Sequence, residues 1–520
     1  MSVPGVAAIL GPGPAEQRSR LLEDMLSAMR HEPAYVSGQY SVPDLGVWAG
    51  WAAHRGSFAA RVSEYRHADA SALLLCGECY PGDDWPDTET LGTPERFAAA
   101  VIEGCRDGGP NFLRRLNGLF SGIVIDRTRR SCLVFNDRYG SERLYRHESA
   151  DTVWLASEAK AILRACPETR HLDDASVAQF LKFGSVVDGR TLFRDVGLLP
   201  GGSAISTDSS GQRSTRSYFR PEEWERQSPY SMGEFAERLG EILAKVVPRY
   251  FGGDLPIGIS ITGGLDTRMI MAALPRLRLP TGCYTYGGLE GETLDERIGR
   301  QVARQCGLSH DSLRVDPEWL ADFSGAVDRT IWLSDGCAGA TTAHEIHFSR
   351  LAVKLAPVRV TGNYGSEVLR GMSTLKSWTP PSDFLVPDFA RAVDRADAPR
   401  HAHPLTQAAF LQVPLHLFGS LAVGRSLLQV RTPYLDNDLV ALAYRAPAQA
   451  LATTEPSVRA VGRLSPSLAR IPTDRGVALD QGGLWSQIRR VTAAVTFKLD
   501  YLDSEGLPGS LRLLEPLLAA

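Results

Sequence analysis

The sequence lacks the features that would place this protein in a membrane or on a nucleic acid. No apolar stretch reaches the roughly 20 residues that a membrane-spanning helix needs. The net charge is -4, so no excess of basic residues indicates a nucleic-acid partner. The first residues also lack the basic start and the cleavage site of a secretory signal. These absences predict a cytoplasmic protein with no nucleic-acid partner and no membrane association.

Cysteine pairs are scarce as well. The eight cysteines are scattered, and Cys76-Gly-Glu-Cys79 is the only close pair in the sequence. It lies in an apolar run without a second pair to complete a zinc site, so we interpret it as two strand residues, with a redox role as the alternative. The 520 residues, 43% of them hydrophobic and 22% charged, exceed one ordinary core and predict a globular protein of two domains.

The most informative stretch that is present begins with an isoleucine-rich run at residues 257–261. Thr262-Gly-Gly-Leu-Asp-Thr267 and helix-forming residues follow it, which predicts a buried parallel strand, a glycine turn and a helix. Amide groups at the helix start, with the Thr262 and Thr267 hydroxyls, can bind phosphate oxygens. Asp266 adds a carboxylate suited to Mg²⁺ shared with a nucleotide. The spacing of these residues differs from that of the Walker loop and of the dinucleotide-binding fingerprint. The alternative to a phosphate-binding loop is an ordinary glycine turn without a ligand.

This turn resembles the pyrophosphate loop, Ser-Gly-Gly-x-Asp-Ser, of the asparagine synthetase family, with threonine in place of both serines. The N-terminal part is similar to that family's class II glutamine amidotransferase domain in its Gly-Glu-x-Tyr, Leu-x-Gly-x-Phe, Asp-Arg-x-Gly and Ala-Ser-Glu-x-Lys segments. The resemblance implies an α+β Ntn-hydrolase-like (class II glutamine amidotransferase-like) sandwich over residues 1–220. An α/β parallel-sheet ATP-pyrophosphatase (adenine nucleotide alpha hydrolase-like) domain is expected over residues 221–520, with the junction in a polar stretch.

The resemblance fails where glutamine would be hydrolysed. The family's nucleophile is a cysteine directly after the initiator methionine, where this chain has Ser2. Its oxyanion-holding Asn-Gly pair matches Cys76-Gly77 here, which replaces a preorganised donor worth about 3 kcal/mol by a weak thiol. We therefore expect an N-terminal domain without glutaminase activity.

Residues 358–371 repeat the pattern of strand, glycine turn and carboxylate. They resemble the family's second metal-binding motif in its Tyr-Gly-x-Asp form, found in β-lactam synthetases, if Asn363 is an insertion. Glu367 is then the metal ligand and Tyr364 a candidate catalytic phenol. Without the insertion, Ser366 stands at the acidic position. We prefer Glu367 because a second carboxylate completes a Mg²⁺ site with Asp266, and the two turns should meet at one edge of a parallel sheet.

The resemblance implies further site residues, and some carry an alternative interpretation. Asp295 opens a predicted helix, where acidic residues usually complement the helix dipole. Arg431 and Asp436 either shape the pocket or pair with each other. No lysine occurs between Lys376 and Lys498, so Arg475 is the candidate cation where relatives carry a lysine, although it cannot exchange protons as a lysine can. The residues expected to bind ATP are Ser260, Ile261, Thr262, Gly263, Gly264, Asp266, Thr267, Tyr286 and Gly362.

Together these features imply an ATP- and Mg²⁺-dependent ligase. It would activate a small-molecule or peptide carboxylate as its adenylate, release pyrophosphate and pass the acyl group to ammonia or an amine. Alternatives are an intramolecular amide former similar to β-lactam synthetases and lasso-peptide cyclases, transfer of the adenylate to another nucleophile, and a non-catalytic scaffold. The sequence does not identify the carboxylate or the amine, and it leaves a homodimer open.

Overall fold

The computed structural model of the protein describes residues 5–82, 85, 93–274, 280–288, 291–378, 380–381 and 384–474. The strands of the N-terminal half are β1 (Gly5–Leu10), β2 (Tyr35–Val42), β3 (Val47–His54), β4 (Ala72–Pro81), β5 (Leu116–Asp126), β6 (Ser131–Asn136), β7 (Tyr145–Ser149), β8 (Thr152–Ala156), β9 (Gly197–Leu198), β10 (Ser203–Thr207) and β11 (Arg213–Ser217). Those of the C-terminal half are β12 (Ile257–Ser260), β13 (Gly282–Gly287), β14 (His310–Arg314), β15 (Val358–Thr361) and β16 (Gln429–Arg431).

Helices accompany both groups of strands. Among the N-terminal strands lie α1 (Ala15–Met29), α2 (Phe58–Glu64), α3 (Pro94–Gly108), α4 (Ala159–Ala165) and α5 (Asp174–Phe183). The C-terminal half contains α6 (Glu222–Glu225), α7 (Met232–Val246), α8 (Leu265–Ala272), α9 (Leu294–Gln305), α10 (Pro317–Ala321), α11 (Phe323–Leu333), α12 (His344–Leu355), α13 (Gly365–Arg370), α14 (Pro387–Arg395), α15 (Pro404–Thr406), α16 (Phe418–Arg425), α17 (Asn437–Ala443), α18 (Ala448–Leu451), α19 (Glu455–Leu464) and α20 (Pro466–Ala469). A π-helical segment covers Gln407–His416.

Two antiparallel sheets, ordered β2-β3-β1-β8-β7-β9 and β11-β10-β6-β5-β4, form the N-terminal half. Their facing sides share one hydrophobic cluster, to which β3 contributes Ala49 and β4 contributes Leu74. Leu73 and Leu75 point the other way, into a cluster with Phe97 of α3. Because successive strand residues face opposite sides, the first five residues of β4, Ala72–Cys76, are all apolar and all buried between a sheet and helices. With α1 and α4 on the outer face of the first sheet, this layering confirms the predicted α+β sandwich.

A parallel sheet in the order β14-β13-β12-β15-β16 forms the centre of the C-terminal half. This confirms the predicted α/β domain. Strands β12 and β15 are neighbours, and their last residues, Ser260 and Thr361, pair in register. The loops that follow them therefore leave the sheet side by side, one into α8 and the other into α13.

The predicted junction at residues 220–221 lies between β11 and α6. Phe219 and Trp224 stand on either side of it with ring centroids 4.6 Å apart, and both belong to a cluster that also contains Phe97 and Leu239. The two halves thus share part of their core, and the exact boundary stays a prediction.

Buried charges also join the halves. Arg431, at the end of β16, donates to both carboxylate oxygens of Glu78 at 2.7 and 2.6 Å. Asp436 accepts from Asn117 at 2.9 Å and from Arg249 at 2.7 Å. The alternative that Arg431 and Asp436 pair with each other is therefore wrong, because each has a different partner. In the ranges given above, no helix is long and apolar enough to cross a bilayer.

We expect Arg431→Met to lower the free energy of unfolding by about 3 kcal/mol, because it leaves a partly buried Glu78 charge without its partner. A thermal or urea midpoint measures this. Arg61→Met is the matched control, since Arg61 pairs with Asp254 between the same halves at 3.2 Å but in solvent, where such pairs contribute less than about 1 kcal/mol. Equal losses in the two variants would contradict this prediction.

Candidate active site

The candidate site lies where the loops after β12 and β15 meet. Two glycines of the second loop make this approach sterically feasible. A Cβ atom on Gly362 would stand 2.7 Å from Cγ2 of Thr267, and one on Gly365 would stand 2.5 Å from Cγ of Asp266. Since such contacts are far below van der Waals distance, only glycine fits at either position without moving the loops apart.

Asp266 is held by side chains of α13, the helix that follows the second loop. The Ser366 hydroxyl donates to its Oδ2 at 2.8 Å, and the Arg370 guanidinium lies 3.7 Å from its Oδ1. Arg370 also hydrogen-bonds to the Ser366 hydroxyl. Ser366, the residue that the alignment without an insertion places at the acidic position, is thus the direct contact of Asp266.

Glu367 lines the same cavity as Asp266. Burial raises the pKa of Glu367 above its ordinary value, and the negative charge of Asp266 adds to this rise, whereas Arg370 opposes it. Two carboxylates that repel each other in one cleft are stabilised by a cation between them. With the Ser366 hydroxyl they offer hard oxygen donors, which are the ligands that Mg²⁺ prefers. The residues present therefore fit the predicted ion.

Tyr364 adopts a left-handed backbone conformation, with φ of 72°, directly before α13. Such a conformation is strained for a non-glycine residue and persists only where its surroundings fix it. Thr432 fixes the preceding residue by donating to the Asn363 carbonyl at 2.7 Å. Tyr364 is buried and lines the cavity. Burial raises the pKa of Tyr364 above its usual range, so the phenol stays protonated at neutral pH.

The first loop uses several of its amides internally. Gly263 N–H donates to Asp295 Oδ1 at 2.8 Å, Gly264 N–H donates to the Thr262 hydroxyl at 3.3 Å, and Thr262 N–H donates to the Thr267 hydroxyl at 3.4 Å. Phosphate oxygens would have to replace these acceptors. Asp295 therefore does more than complement the dipole of α9, because it also orients this loop.

A buried arginine that the sequence analysis did not predict supports the first loop through hydrogen bonds to backbone carbonyls. Arg268, which has no exposed surface, donates to the Gly263 and Pro472 carbonyls at 3.1 and 2.9 Å. Burial lowers the pKa of Arg268 to about 10, so it remains charged at neutral pH. Asp474 N–H also donates to the Gly263 carbonyl, at 3.2 Å. The C-terminal segment thus packs on the loop, but Arg475 lies outside the described residues.

The cavity between the loops has a volume of about 460 Å³. Of the predicted site residues it brings together Asp266, Gly362, Tyr364 and Glu367. The remaining described ones lie in the first loop or the adjoining strands and do not line this cavity; they are Ser260, Ile261, Thr262, Gly263, Gly264, Thr267 and Tyr286. Tyr286 stacks on Phe348 with ring centroids 4.4 Å apart.

Arg359 and Glu345 form an ion pair at the cavity wall that the sequence analysis also did not predict. Arg359 and Glu345 both line the cavity, with 3.1 Å between Nη1 and Oε1. Arg359 donates to the Ser260 hydroxyl at 3.1 Å as well. A signal was present in the sequence, because Arg359 interrupts a buried strand of the form Val-Arg-Val, and buried charges are rarely found without partners.

The fold and this site define a class of protein in which an amidotransferase-type sandwich precedes an ATP-pyrophosphatase-type domain. Two family models match in that order, "Glutamine amidotransferase domain" over residues 98–219 and "Asparagine synthase" over residues 238–414. Over these two ranges the chain is similar to the asparagine synthetase family.

Three of the curated relatives are distant in sequence and longer than this chain. Over 258 residues the chain is 20% identical to asparagine synthetase (glutamine-hydrolyzing) 1 of Bacillus subtilis, covering 49% of this chain and 40% of that protein. It is 26% identical to asparagine synthetase (glutamine-hydrolyzing) 2 of Arabidopsis thaliana, covering 43% and 34%. It is also 26% identical to amidase chry2 of Gibberella zeae, covering 45% and 36%. The chain thus spans less than half the length of each of these relatives.

Gly365→Ala tests the close approach of the two loops. We expect the free energy of unfolding to fall by about 1 to 3 kcal/mol through overpacking against Asp266. Hydrogen exchange should quicken in residues 262–267 and 362–370, because separated loops lose their mutual protection. Gly288→Ala is the matched control, since a Cβ there meets nothing within 4 Å. Unchanged stability and exchange in Gly365→Ala would show that the loops do not depend on this contact.

Proposed function

We propose that this protein is an ATP-dependent amide-forming ligase. The observation that carries the proposal is the convergence of Asp266 and Glu367, from loops after two adjacent parallel strands, on one cavity. Crevices beside the carboxyl ends of such strands are where ligands bind in open α/β sheets. The match of residues 238–414 to the asparagine synthase family model supports the same activity.

In the proposed reaction, an oxygen of the substrate carboxylate attacks the α-phosphorus of ATP. The bond from that phosphorus to the bridging oxygen breaks, and pyrophosphate leaves. The nitrogen of ammonia or an amine then attacks the acyl carbon, AMP leaves with the carboxylate oxygen, and the nitrogen loses a proton to solvent. The first loop and the start of α8 would bind the phosphates once Asp295 and the threonine hydroxyls release the amides.

Asp266, Glu367 and the Ser366 hydroxyl are the groups that would hold Mg²⁺. The ion would neutralise phosphate charge during the displacement. Arg370, 3.7 Å from Asp266 Oδ1, already offsets part of the negative charge of the two carboxylates. The Tyr364 phenol, protonated at neutral pH, is a hydrogen-bond donor and not a base. We assign it to orienting an oxygen of the acyl group or of the phosphate.

The cavity also favours an acyl substrate with an apolar portion. Met372, Leu417 and Leu421 line it beside the carboxylates, and its volume of about 460 Å³ lies within the usual range for small-ligand sites. A small-molecule or peptide carboxylate with an apolar group fits this lining.

Exchange of pyrophosphate into ATP across a panel of carboxylic acids tests the ligase. We expect Asp266→Asn to lower the exchange rate about 100-fold or more, because it removes the charge that would hold the ion while preserving the side-chain shape. Asp311→Asn, an exposed carboxylate on β14, should retain the rate. Retained exchange in Asp266→Asn would contradict the assigned role. A wild-type protein that neither binds ATP nor exchanges pyrophosphate would be a scaffold.

Glutamine hydrolysis should be absent. Cys76 is fully buried, and its thiol donates to Glu142 Oε2 across 3.6 Å. Burial raises the pKa of Glu142 to about 7, although Arg425, 2.9 Å away, opposes this. A carboxylate that is at least partly ionised at neutral pH would repel an oxyanion forming beside Cys76. Ser2, the other altered position, lies outside the described residues.

We accordingly expect purified protein to release no glutamate from glutamine above a heat-killed control, while ammonia or an amine supports amide formation. Enzymatic measurement of glutamate checks this. Glutamate release that disappears in Ser2→Ala would establish an N-terminal nucleophile and overturn the prediction.

A further inference from the structure

Potential metal ligands lie together in the N-terminal sandwich, outside the candidate active site. One ligand atom from each of His147, Cys166 and Glu168 lies within 4.8 Å of the other two. His147 belongs to β7, whereas Cys166 and Glu168 directly follow α4, which packs on the same sheet. The three side chains thus connect the end of a helix with the strand beneath it.

The hydrogen bonding of His147 leaves one ring nitrogen available to a ligand. Nδ1 lies 2.8 Å from the Asp195 carbonyl oxygen, and because a carbonyl only accepts, Nδ1 must carry the proton. Nε2 of the neutral ring then has a lone pair. It is buried and has no hydrogen-bond partner in the described part of the chain. Leaving such an acceptor unsatisfied costs free energy, which a metal ion would recover. Metal-binding histidines typically donate their other N–H to a group such as this carbonyl.

The other two side chains complete a mixed donor set. Cys166 is a free cysteine, and only 2% of it is exposed, so its sulfur faces the interior. Glu168 is exposed and brings a carboxylate to the rim. The candidate metal site therefore has two buried ligands, His147 and Cys166, and one exposed ligand, Glu168, on the side from which an ion can enter.

We propose that His147, Cys166 and Glu168 bind one Zn²⁺ ion, with a fourth position open to water. An imidazole nitrogen, a thiolate and a carboxylate suit zinc, whereas the sulfur ligand disfavours Mg²⁺ and Ca²⁺. On binding, the Cys166 thiol gives its proton to solvent and a sulfur–zinc bond forms. The ion cross-links the end of α4 to β7. This site is independent of the proposed ligase activity.

Titration of the full chain, stripped of metal by a chelator, tests the site with Co²⁺ as the spectroscopic probe. We expect one equivalent of Co²⁺ to produce a sulfur-to-cobalt charge-transfer band that Zn²⁺ displaces. Cys166→Ser should abolish the band, and His147→Gln and Glu168→Gln should each weaken affinity about tenfold or more. Cys306→Ser, at the end of α9, and His171→Gln, an exposed neighbour in sequence, should leave the titration unchanged.

Thermal unfolding supplies a second measurement. Zn²⁺ should raise the midpoint of the wild-type chain, because it binds the folded state in preference to the unfolded one. The increase should be smaller in Glu168→Gln, where an exposed side chain is changed and folding is not at risk. Absence of a saturable band in the wild-type chain, or a band that persists in Cys166→Ser, would overturn the proposal.

Discussion

The candidate site depends on two backbone segments approaching more closely than any side chain would permit. Strands β12 and β15 are adjacent and in register, so the loops that follow them must share the same space. Gly362 and Gly365 resolve this conflict by presenting only backbone to Asp266 and Thr267. The position of Asp266 is therefore set by packing, and the contacts made by its carboxylate follow from that packing.

Positively charged arginines lie next to the negatively charged carboxylates around this close contact. Asp266 and Glu367 repel each other across one cavity, and Arg370 offsets part of their charge from the end of α13. Arg268 places another positive charge beneath the first loop but uses it on backbone carbonyls. Asp266 and Glu367 line the cavity, whereas the Arg268 guanidinium is used in backbone hydrogen bonds.

The sequence predicted the elements of this site better than their contacts. Both strand-turn-carboxylate patterns are local, so residues 257–267 and 358–367 could be identified from periodicity and glycine placement. The hydrogen bond from Ser366 to Asp266 joins residues 100 positions apart, and that from Arg268 to Pro472 joins residues 204 apart. No local pattern encodes such pairs. For the same reason the sequence could not show whether Arg431 and Asp436 pair with each other. Their actual partners, Glu78 and Arg249, are distant in sequence.

The N-terminal sandwich contributes to the position of the second loop whether or not it has a chemical activity of its own. Glu78 of β4 holds Arg431, and Arg431 also donates to the Tyr250 and Gly252 carbonyls at 2.8 Å each. The next residue, Thr432, donates to the carbonyl of Asn363, directly before Tyr364. A continuous path of hydrogen bonds and two peptide links, Arg431–Thr432 and Asn363–Tyr364, therefore runs from the sandwich to the strained residue at the cavity. Because the left-handed conformation of Tyr364 needs support from its surroundings, loss of the sandwich would remove part of what maintains it. The contribution of the sandwich to the candidate site therefore rests on these contacts and does not require glutamine hydrolysis.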